Sequence, residues 1–331
     1  MKHKTSVTIA IIIVFFIAQI AGLITASHNS KVVQTEEGLT VEVKDTAVGQ
    51  RPQISQQTLV ISIIIGILIG TGVILLISKF KKPMVWKAWY GFAVFYSSLI
   101  ALGSYINAFL ASIFALFLTI MKFSSTNPFI LNSIEILVYV GISIIFAPLL
   151  SPFWAMILLL IISAYDYVAV FKSKHMVKLA EFQKKSGVFS GVKIDYKIKT
   201  VHHSAETKEG QKETESHPSY ALANRNAGKL ETQAKQNKRR AQEENKNRRT
   251  ALLGGGDIAF PMIYNISIFY FVLSISASKQ KALLAGSWVA VAETIALFLL
   301  FLTAKKDKYY PAMPPLTIGA ILGSISLFIL I

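Results

Sequence analysis

"LVISIIIGILIGTGVILLI", residues 59–77, is a charge-free apolar stretch, and it decides the fold class of this chain. A helix of about 20 residues spans the roughly 30 Å of a membrane's hydrocarbon core. A helix also satisfies its own backbone hydrogen bonds, which lipid cannot do. The chain of 331 residues is 53% hydrophobic and contains several such stretches. We therefore predict an all-α polytopic membrane protein.

Nine apolar stretches are predicted to be transmembrane helices. They cover approximately residues 5–26, 58–77, 85–102, 106–121, 129–149, 153–171, 251–274, 282–304 and 312–331. The fourth is the least regular, because it is short and only "GSY" joins it to the third. The first follows a basic start, so a cleaved signal peptide is the alternative to a retained anchor. Its long apolar core favours the anchor.

The polar composition of residues 172–250 divides the chain into three regions. Residues 1–171 contain the first six predicted helices, and residues 251–331 contain the last three. The polar region between them carries much of the net charge of +16. We predict a largely disordered loop that is attracted to anionic lipid headgroups, rather than a nucleic-acid site. Within it, "VKIDYKIKTV", residues 192–201, alternates as a half-buried strand does, although such a run also arises by chance.

Lysine and arginine lie mainly on one side of the predicted helices. The N-terminal "MKHK", the turn "SKFKKP" after the second helix and "KKDKYY" after the eighth all fall on that side. Basic flanks face the cytoplasm in membrane proteins. We therefore place the N-terminus and the loop 172–250 in the cytoplasm and the C-terminus outside. Lys279 and Lys281 are exceptions to the pattern.

The residue types present exclude several kinds of hydrolytic chemistry. The chain has no cysteine, so it has no thiolate nucleophile and no cysteine metal site. All six histidines fall outside the predicted helices. A zinc protease needs an HExxH helix and a serine protease needs a histidine base, and neither is available within the membrane here. We expect no metal and no cofactor.

Two aspartates lie inside otherwise apolar segments, Asp166 in "ISAYDYVAVF" and Asp257 in "LLGGGDIAFPMIY". An intramembrane acid is costly and is by default a hypothesis for a functional site. Asp166 lies six residues before Lys172. Asp257 lies eight residues after Arg249, so both acids are about 10 Å from the cytoplasmic boundary. We expect the two carboxyl groups to face each other, to share a proton, and to activate water as general base and general acid.

Glycines precede the second aspartate, and prolines open the last predicted helix. Gly254, Gly255 and Gly256 permit close approach of a substrate backbone, although close helix packing is the alternative use of such residues. The prolines of "YYPAMPPLT", residues 309–317, have two interpretations. They either leave backbone carbonyls unpaired for an extended substrate or simply start the helix.

These segments resemble the presenilin and signal peptide peptidase family of intramembrane aspartyl proteases. "YDYVAVF" resembles the presenilin pattern YDxVAV, and "GGGDIAFP" resembles the signal peptide peptidase pattern GxGDIxxP. "PAMPPLT" resembles the family's PALP segment, with Met313 in place of leucine. Each motif is weak alone, but the ordered set on the expected helices is specific. Prepilin-type peptidases also carry GxGD, but they lack the late PAxP segment.

The resemblance implies roles for individual residues. Asp166 and Asp257 would be the catalytic pair, and Tyr165 would support the first of them. The turn that shapes the backbone before the second aspartate would comprise Gly254, Gly255 and Gly256. The segment that lines the path of the substrate would comprise Pro311, Ala312, Met313 and Pro314. Because methionine is apolar and adaptable, the departure at Met313 concerns specificity rather than activity.

The resemblance also implies a function, which is hydrolysis of transmembrane helices that first unwind into a strand. The predicted strand at residues 192–201 is then a candidate edge partner for the substrate. The orientation predicted from charge is that of presenilins, so the substrates would be single-span membrane proteins with an outside N-terminus. Similarity to the microbial homologues implies that the chain works in the lipid bilayer alone or as a homo-oligomer, with no nucleic-acid partner.

A proton-coupled transporter or ion channel is the competing interpretation. Paired intramembrane acids also build ion pathways, and Glu135 and Glu293 add two further acids within predicted helices. Either glutamate serves equally well as a hydrogen-bond partner of serine, threonine or asparagine inside the bundle. The chain shows no inverted repeat, and a transporter has no special need of two acids at one depth beside a proline-rich helix start. A scaffold with a buried polar pair is the third interpretation.

Overall fold

The computed structural model describes residues 5–35, 38–80, 82–173, 175–197, 248–304 and 309–330. Within these ranges the chain forms ten α-helices, which are α1 (Thr5–Asn29), α2 (Gln56–Lys79), α3 (Pro83–Gly103), α4 (Ala108–Ser124), α5 (Pro128–Phe146), α6 (Pro152–Tyr167), α7 (His175–Ser186), α8 (Gly256–Ser276), α9 (Lys279–Thr303) and α10 (Met313–Leu330). A 3₁₀ turn, Ala147–Leu149, follows α5, and a π-helical turn, Val168–Lys172, follows α6. Four strands form two two-stranded sheets: β1 (Ser30–Thr35) pairs with β2 (Gly38–Val43), and β3 (Gly191–Lys197) pairs with β4 (Arg248–Gly254).

The chain divides into two compact units. The first comprises residues 1–194 and 252–331 and contains all ten described helices. The second, residues 195–251, lies largely outside the described ranges, as does most of the loop 172–250 that we predicted to be disordered. The part of this loop that follows α6 in the structure forms α7 and β3.

Every predicted transmembrane segment overlaps one long helix, and the largest difference lies at the seventh. The prediction started this helix at residue 251, but β4 extends through Gly254 and α8 begins at Gly256. The letters "ALL" before the glycines suit a strand as well as a helix, and pairing with β3 selects the strand. The prediction of an all-α protein is therefore corrected, because the mostly helical chain also contains two small sheets.

Six helical segments among the described residues are long and apolar enough to cross a membrane: Thr5–Asn29, Gln56–Lys79, Pro128–Leu149, Pro152–Lys172, Gly256–Ser276 and Lys279–Thr303. The helices Ala108–Ser124 and Met313–Ile329 are apolar but shorter. These segments are those of a multi-pass integral membrane protein. The count of nine spans and their orientation remain predictions.

The helix that carries Asp257, α8, is the most buried of the six. In the most apolar 18-residue stretch of α8, 72% is buried inside the molecule, whereas only 11% of the corresponding stretch of α2 is buried. The helices α1, α5, α6, α9 and α10 all pack against it. Because lipid does not penalise outward apolar side chains, α2 and α4 expose many isoleucine, leucine and phenylalanine residues. The middle of α8, residues 258–269, is thereby enclosed by other helices.

A buried polar network joins α1 to this central helix. The side-chain amide of Gln19 donates to the carbonyl oxygen of Ile258 at 3.1 Å. The side-chain amide of Asn265 donates to Gln19 Oε1 at 3.2 Å and to Glu293 Oε2 at 2.7 Å. Glu293 therefore acts as a hydrogen-bond partner within the bundle, and α1 is packed into that bundle.

Candidate active site

Asp166 lies in the last turn of α6, directly before the π-helical turn. Its side chain is only 7% exposed, and Oδ2 accepts the backbone N–H of Met313 at 3.3 Å. The backbone N–H of Ala312 is close enough to interact electrostatically with the same carboxylate. These donors are free because the first N–H groups of a helix have no acceptor within it. The start of α10 therefore binds Asp166 in the way that helix N-termini bind anions.

The proline-rich segment reaches Asp166 through its backbone. Pro311 and Ala312 precede α10, whereas Pro314 and Pro315 lie in its first turn. Proline has no N–H, so Ala312 and Met313 are the residues that provide donors here. Of the two interpretations of the prolines, helix initiation applies to Pro314 and Pro315, whereas Pro311 lies outside the helix.

Asp257 is the second residue of α8, and its carboxylate lies beside the backbone of Gly254. The helices α6 and α8 pack against each other, and the carboxyl groups of Asp166 and Asp257 are close enough to interact electrostatically. Asp257 also lines a cavity of about 70 Å³, which has room for a few water molecules. The other residues that line this cavity are Leu252, Leu253, Leu300, Phe301, Ala304, Tyr309, Tyr310 and Ala312.

Two of the three glycines before Asp257 lie in close contacts. A Cβ atom on Gly254 would lie 3.0 Å from Asp257 Oδ2, and one on Gly255 would lie 2.8 Å from the hydroxyl oxygen of Tyr139. A Cβ atom on Gly256 would meet a side chain at an ordinary 3.5 Å. The backbone of Gly255 has φ −65° and ψ −35°, a conformation open to any residue. Space, rather than backbone conformation, therefore requires glycine at position 255.

Comparison with known proteins gives a family match and several similar structures. The family model described as signal-peptide peptidase, presenilin aspartyl protease matches residues 38–330. This chain belongs to that family. Two solved structures of a presenilin family intramembrane aspartate protease, in space groups C222 and P2, share its fold at 18% sequence identity with TM-scores of 0.51 and 0.55. The alignments cover 95% and 97% of this chain and 93% and 97% of those chains, and no curated protein sequence matches it.

Membership of this family favours one of the classes of function that the sequence left open. The family and the similar structures are those of intramembrane aspartic proteases, which supports a hydrolase that acts within the bilayer. A transporter that uses the same acids as a relay is not favoured. The roles of single residues do not follow from the match, and the arguments for them come from geometry.

In this presenilin-family chain, the hydroxyl group of Tyr165 contacts α2 and α7. It donates to Thr71 Oγ1 at 3.1 Å and lies 3.0 Å from His175 Nε2. His175 Nδ1 lies 2.6 Å from Ser173 Oγ, and burial lowers the pKa of His175 below its ordinary value. No sequence pattern indicated this cluster. Support of Asp166 by Tyr165 stays a prediction. The contacts with α2 and α7 hold Tyr165 in place and would act on the neighbouring Asp166 only indirectly.

A second acidic group lies on α5, near the turn formed by Gly254, Gly255 and Gly256, which we call the glycine turn. Glu135 is fully buried, forms an ion pair with Lys122, and accepts hydrogen bonds from the hydroxyls of Tyr90 and Tyr139. Its partners were expected to be serine, threonine or asparagine, and the structure instead provides a lysine and two tyrosines. The sequence did not indicate this group, because its members come from three helices, α3, α4 and α5.

Proposed function

We propose that this protein is an intramembrane aspartyl protease that hydrolyses peptide bonds within transmembrane segments. The observation that carries the proposal is the electrostatic interaction between Asp166 and Asp257, which come from two different helices, together with the cavity of about 70 Å³ that Asp257 lines. Both helices are long and apolar enough to lie in lipid. Burying two acids together in such surroundings is costly, so the arrangement calls for a function.

The two aspartates act on water and on the peptide bond together. The ionised carboxylate takes a proton from water, and the water oxygen attacks the scissile carbonyl carbon. The protonated carboxyl group meanwhile donates its proton to the carbonyl oxygen, which gives a neutral geminal diol. The aspartate that took the proton from water then protonates the nitrogen, and the C–N bond breaks. A diol hydroxyl returns a proton to the other aspartate. The pair ends with one shared proton, as it began.

The substrate reaches the pair as an extended strand, because a helical peptide bond is screened by its own side chains and hydrogen bonds. One edge of β3 is held by Asn132, whose side chain forms two 3.0 Å hydrogen bonds with the backbone of Lys193. Its other edge pairs with β4, whose residues Leu252 and Leu253 line the cavity beside Asp257. Pairing of an extended substrate with the outer edge of β4 supplies the backbone contacts. Residues 198–201 of the predicted strand lie outside the described residues.

The glycine turn and the proline-rich segment complete the proposed site. The turn, Gly254, Gly255 and Gly256, lets the substrate backbone approach Asp257 closely. The segment along the substrate path comprises Pro311, Ala312, Met313 and Pro314, of which Ala312 also lines the cavity. The proposed substrates are single-span membrane proteins with an outside N-terminus, following the orientation inferred from charge.

Substitution of each aspartate by its amide tests the proposal. Detergent-solubilised protein is incubated with a single-span substrate, and the fragments are identified by mass spectrometry. We expect the wild type to cut within the span, and Asp166→Asn and Asp257→Asn to fold normally but to lose about a thousandfold or more in rate. Asp45→Asn, at an exposed position, is the matched control and keeps wild-type cleavage. Cleavage by either active-site variant at the normal rate would rule out the pair.

A further inference from the structure

We propose that Tyr139 is a positioning residue for Asp257, and that the buried ion pair of Lys122 and Glu135 holds Tyr139 in place. This inference rests on the proposed protease function, because it assigns a role within the same site. It concerns residues that the catalytic chemistry does not use and that do not line the cavity beside Asp257.

The ion pair itself needs an explanation. Lys122 is 7% exposed and Glu135 is 0% exposed, and both lie in apolar helices. Apolar residues of similar size commonly stabilise a protein as well as a buried ion pair does. Intramembrane charges are therefore expected to have a further role.

The partners of the ion pair are held in one arrangement. Glu135 accepts hydrogen bonds from two tyrosine hydroxyls as well as its contact with the lysine. Lys122 Nζ also donates to the carbonyl oxygen of Leu131 at 3.3 Å and lies 5.9 Å from the centre of the Tyr90 ring. A buried network whose charged members are all paired fixes the geometry of each member.

Tyr139 connects this network to the glycine turn. Glu135 and Tyr139 are four residues apart on α5, so they share a face, and the Tyr139 hydroxyl donates to Glu135 Oε2 at 2.5 Å. The same ring lies against Gly255, where a Cβ atom would be 2.8 Å from both Oη and Cε1 and 3.1 Å from Cζ. Tyr139 is only 3% exposed, and it is close enough to Asp257 to interact with it electrostatically.

The turn needs such support from outside because of its composition. Gly255 lies between Gly254, which lies beside the carboxylate of Asp257, and Gly256, the first residue of α8. Three consecutive glycines have more conformational freedom than any other tripeptide, so the turn alone does not hold Asp257 in one position. Catalytic groups have to be held to about 0.5 Å by the residues around them. The ring of Tyr139 supplies that constraint.

The test is a double-mutant cycle on cleavage of a single-span substrate by the full-length chain. Gly255→Ala forces the ring and the turn apart, and we expect kcat to fall about tenfold or more while KM changes less than about twofold. Tyr139→Ala leaves the turn without its support and lowers kcat to a similar extent. In the double variant Tyr139→Ala/Gly255→Ala the new methyl group meets no ring, so kcat is no lower than in Tyr139→Ala alone. This non-additivity reports direct contact between the two positions.

Two further variants separate positioning from general stability. Tyr139→Phe keeps the ring beside Gly255 but releases it from Glu135, and we expect kcat to fall about threefold to tenfold. Tyr264→Phe is the matched control, because Tyr264 is also buried and its hydroxyl lies 2.6 Å from Ser324 Oγ. Both variants lose one buried hydroxyl and are expected to unfold at similarly lowered temperatures, but only Tyr139→Phe loses kcat.

The outcomes distinguish this inference from the proposed function. Additive losses for Gly255→Ala and Tyr139→Ala, or a wild-type kcat for Tyr139→Phe, would overturn the positioning role while the protease assignment stands. Cleavage by Asp257→Asn would overturn the protease assignment itself. Tyr139→Leu replaces Tyr139→Ala in the cycle if the smaller side chain prevents folding.

Discussion

At the scale of single residues, the two aspartates lie against backbone from different parts of the chain. Asp166 accepts the N–H of Met313, which lies 147 positions away at the start of α10. Asp257 lies beside Gly254, three residues before it in the same turn. The position of Asp166 therefore depends on how α6 and α10 pack, whereas that of Asp257 depends on the glycine turn and on whatever supports that turn.

Substitutions at Glu293 test whether this residue is a hydrogen-bond partner or a proton relay. Its Oε2 accepts the side-chain amide of Asn265 at 2.7 Å. Glu293→Gln keeps an acceptor and removes the titratable group, so we expect wild-type kcat in the single-span cleavage assay. Glu293→Leu removes one of the two acceptors of the buried Asn265 amide and is expected to cost about 1–3 kcal/mol in thermal unfolding experiments in detergent. Loss of cleavage by a stably folded Glu293→Gln would contradict this role.

At the scale of secondary-structure elements, the two-stranded sheet lies directly before the helix of Asp257. The strand β4 ends at Gly254 and α8 begins at Gly256, so the chain changes from strand to helix within the glycine turn. Gly191 at the start of β3 has φ +156° and packs against the backbone of Leu253. The glycine turn is thus continuous with β4, whose outer edge we propose to bind the substrate.

Loosening β3 is expected to weaken cleavage without unfolding the protein. Asn132→Ala removes both hydrogen bonds between α5 and the backbone of Lys193. We expect cleavage to fall about threefold to tenfold, and hydrogen exchange at β3 to become faster. Asn132→Asp keeps the acceptor for the Lys193 N–H and gives an intermediate loss. Ser133→Ala, at the exposed neighbouring position, is the control and leaves both measurements unchanged.

Faster exchange at β3 with normal cleavage by Asn132→Ala would separate this strand from substrate handling. The catalytic pair would then remain as proposed, because it does not depend on Asn132. The edge of β4 would have to be held in place by other contacts.

At the scale of the whole molecule, the presenilin-family fold is shared with chains that are only 18% identical. Such a fold tolerates many substitutions at the periphery, where apolar side chains face lipid and are interchangeable. The helices around α8 have less freedom, because buried polar groups such as Gln19 and Asn265 need their specific partners.

The orientation in the membrane is testable because the chain has no cysteine of its own. We place Thr40 in β2 outside and Lys178 in α7 in the cytoplasm, and both positions are exposed. An impermeant maleimide added to intact cells is expected to label Thr40→Cys and not Lys178→Cys. After permeabilisation both variants are labelled. The opposite pattern would reverse the orientation and would select substrates with an inside N-terminus.

The membrane class and the approximate position of each long helix were determined by the sequence alone, and the pair of acids was proposed from it, because apolar length and the cost of an intramembrane charge are local properties. The start of α8 was predicted five residues early, because the apolar residues before the glycines suit strand and helix alike. Only the tertiary structure decided that Asp166 meets the backbone of α10, that Tyr165 contacts Thr71, and that Tyr139 lies against Gly255. These contacts join residues far apart in the chain, and whole-helix packing, which no local pattern encodes, brings them together.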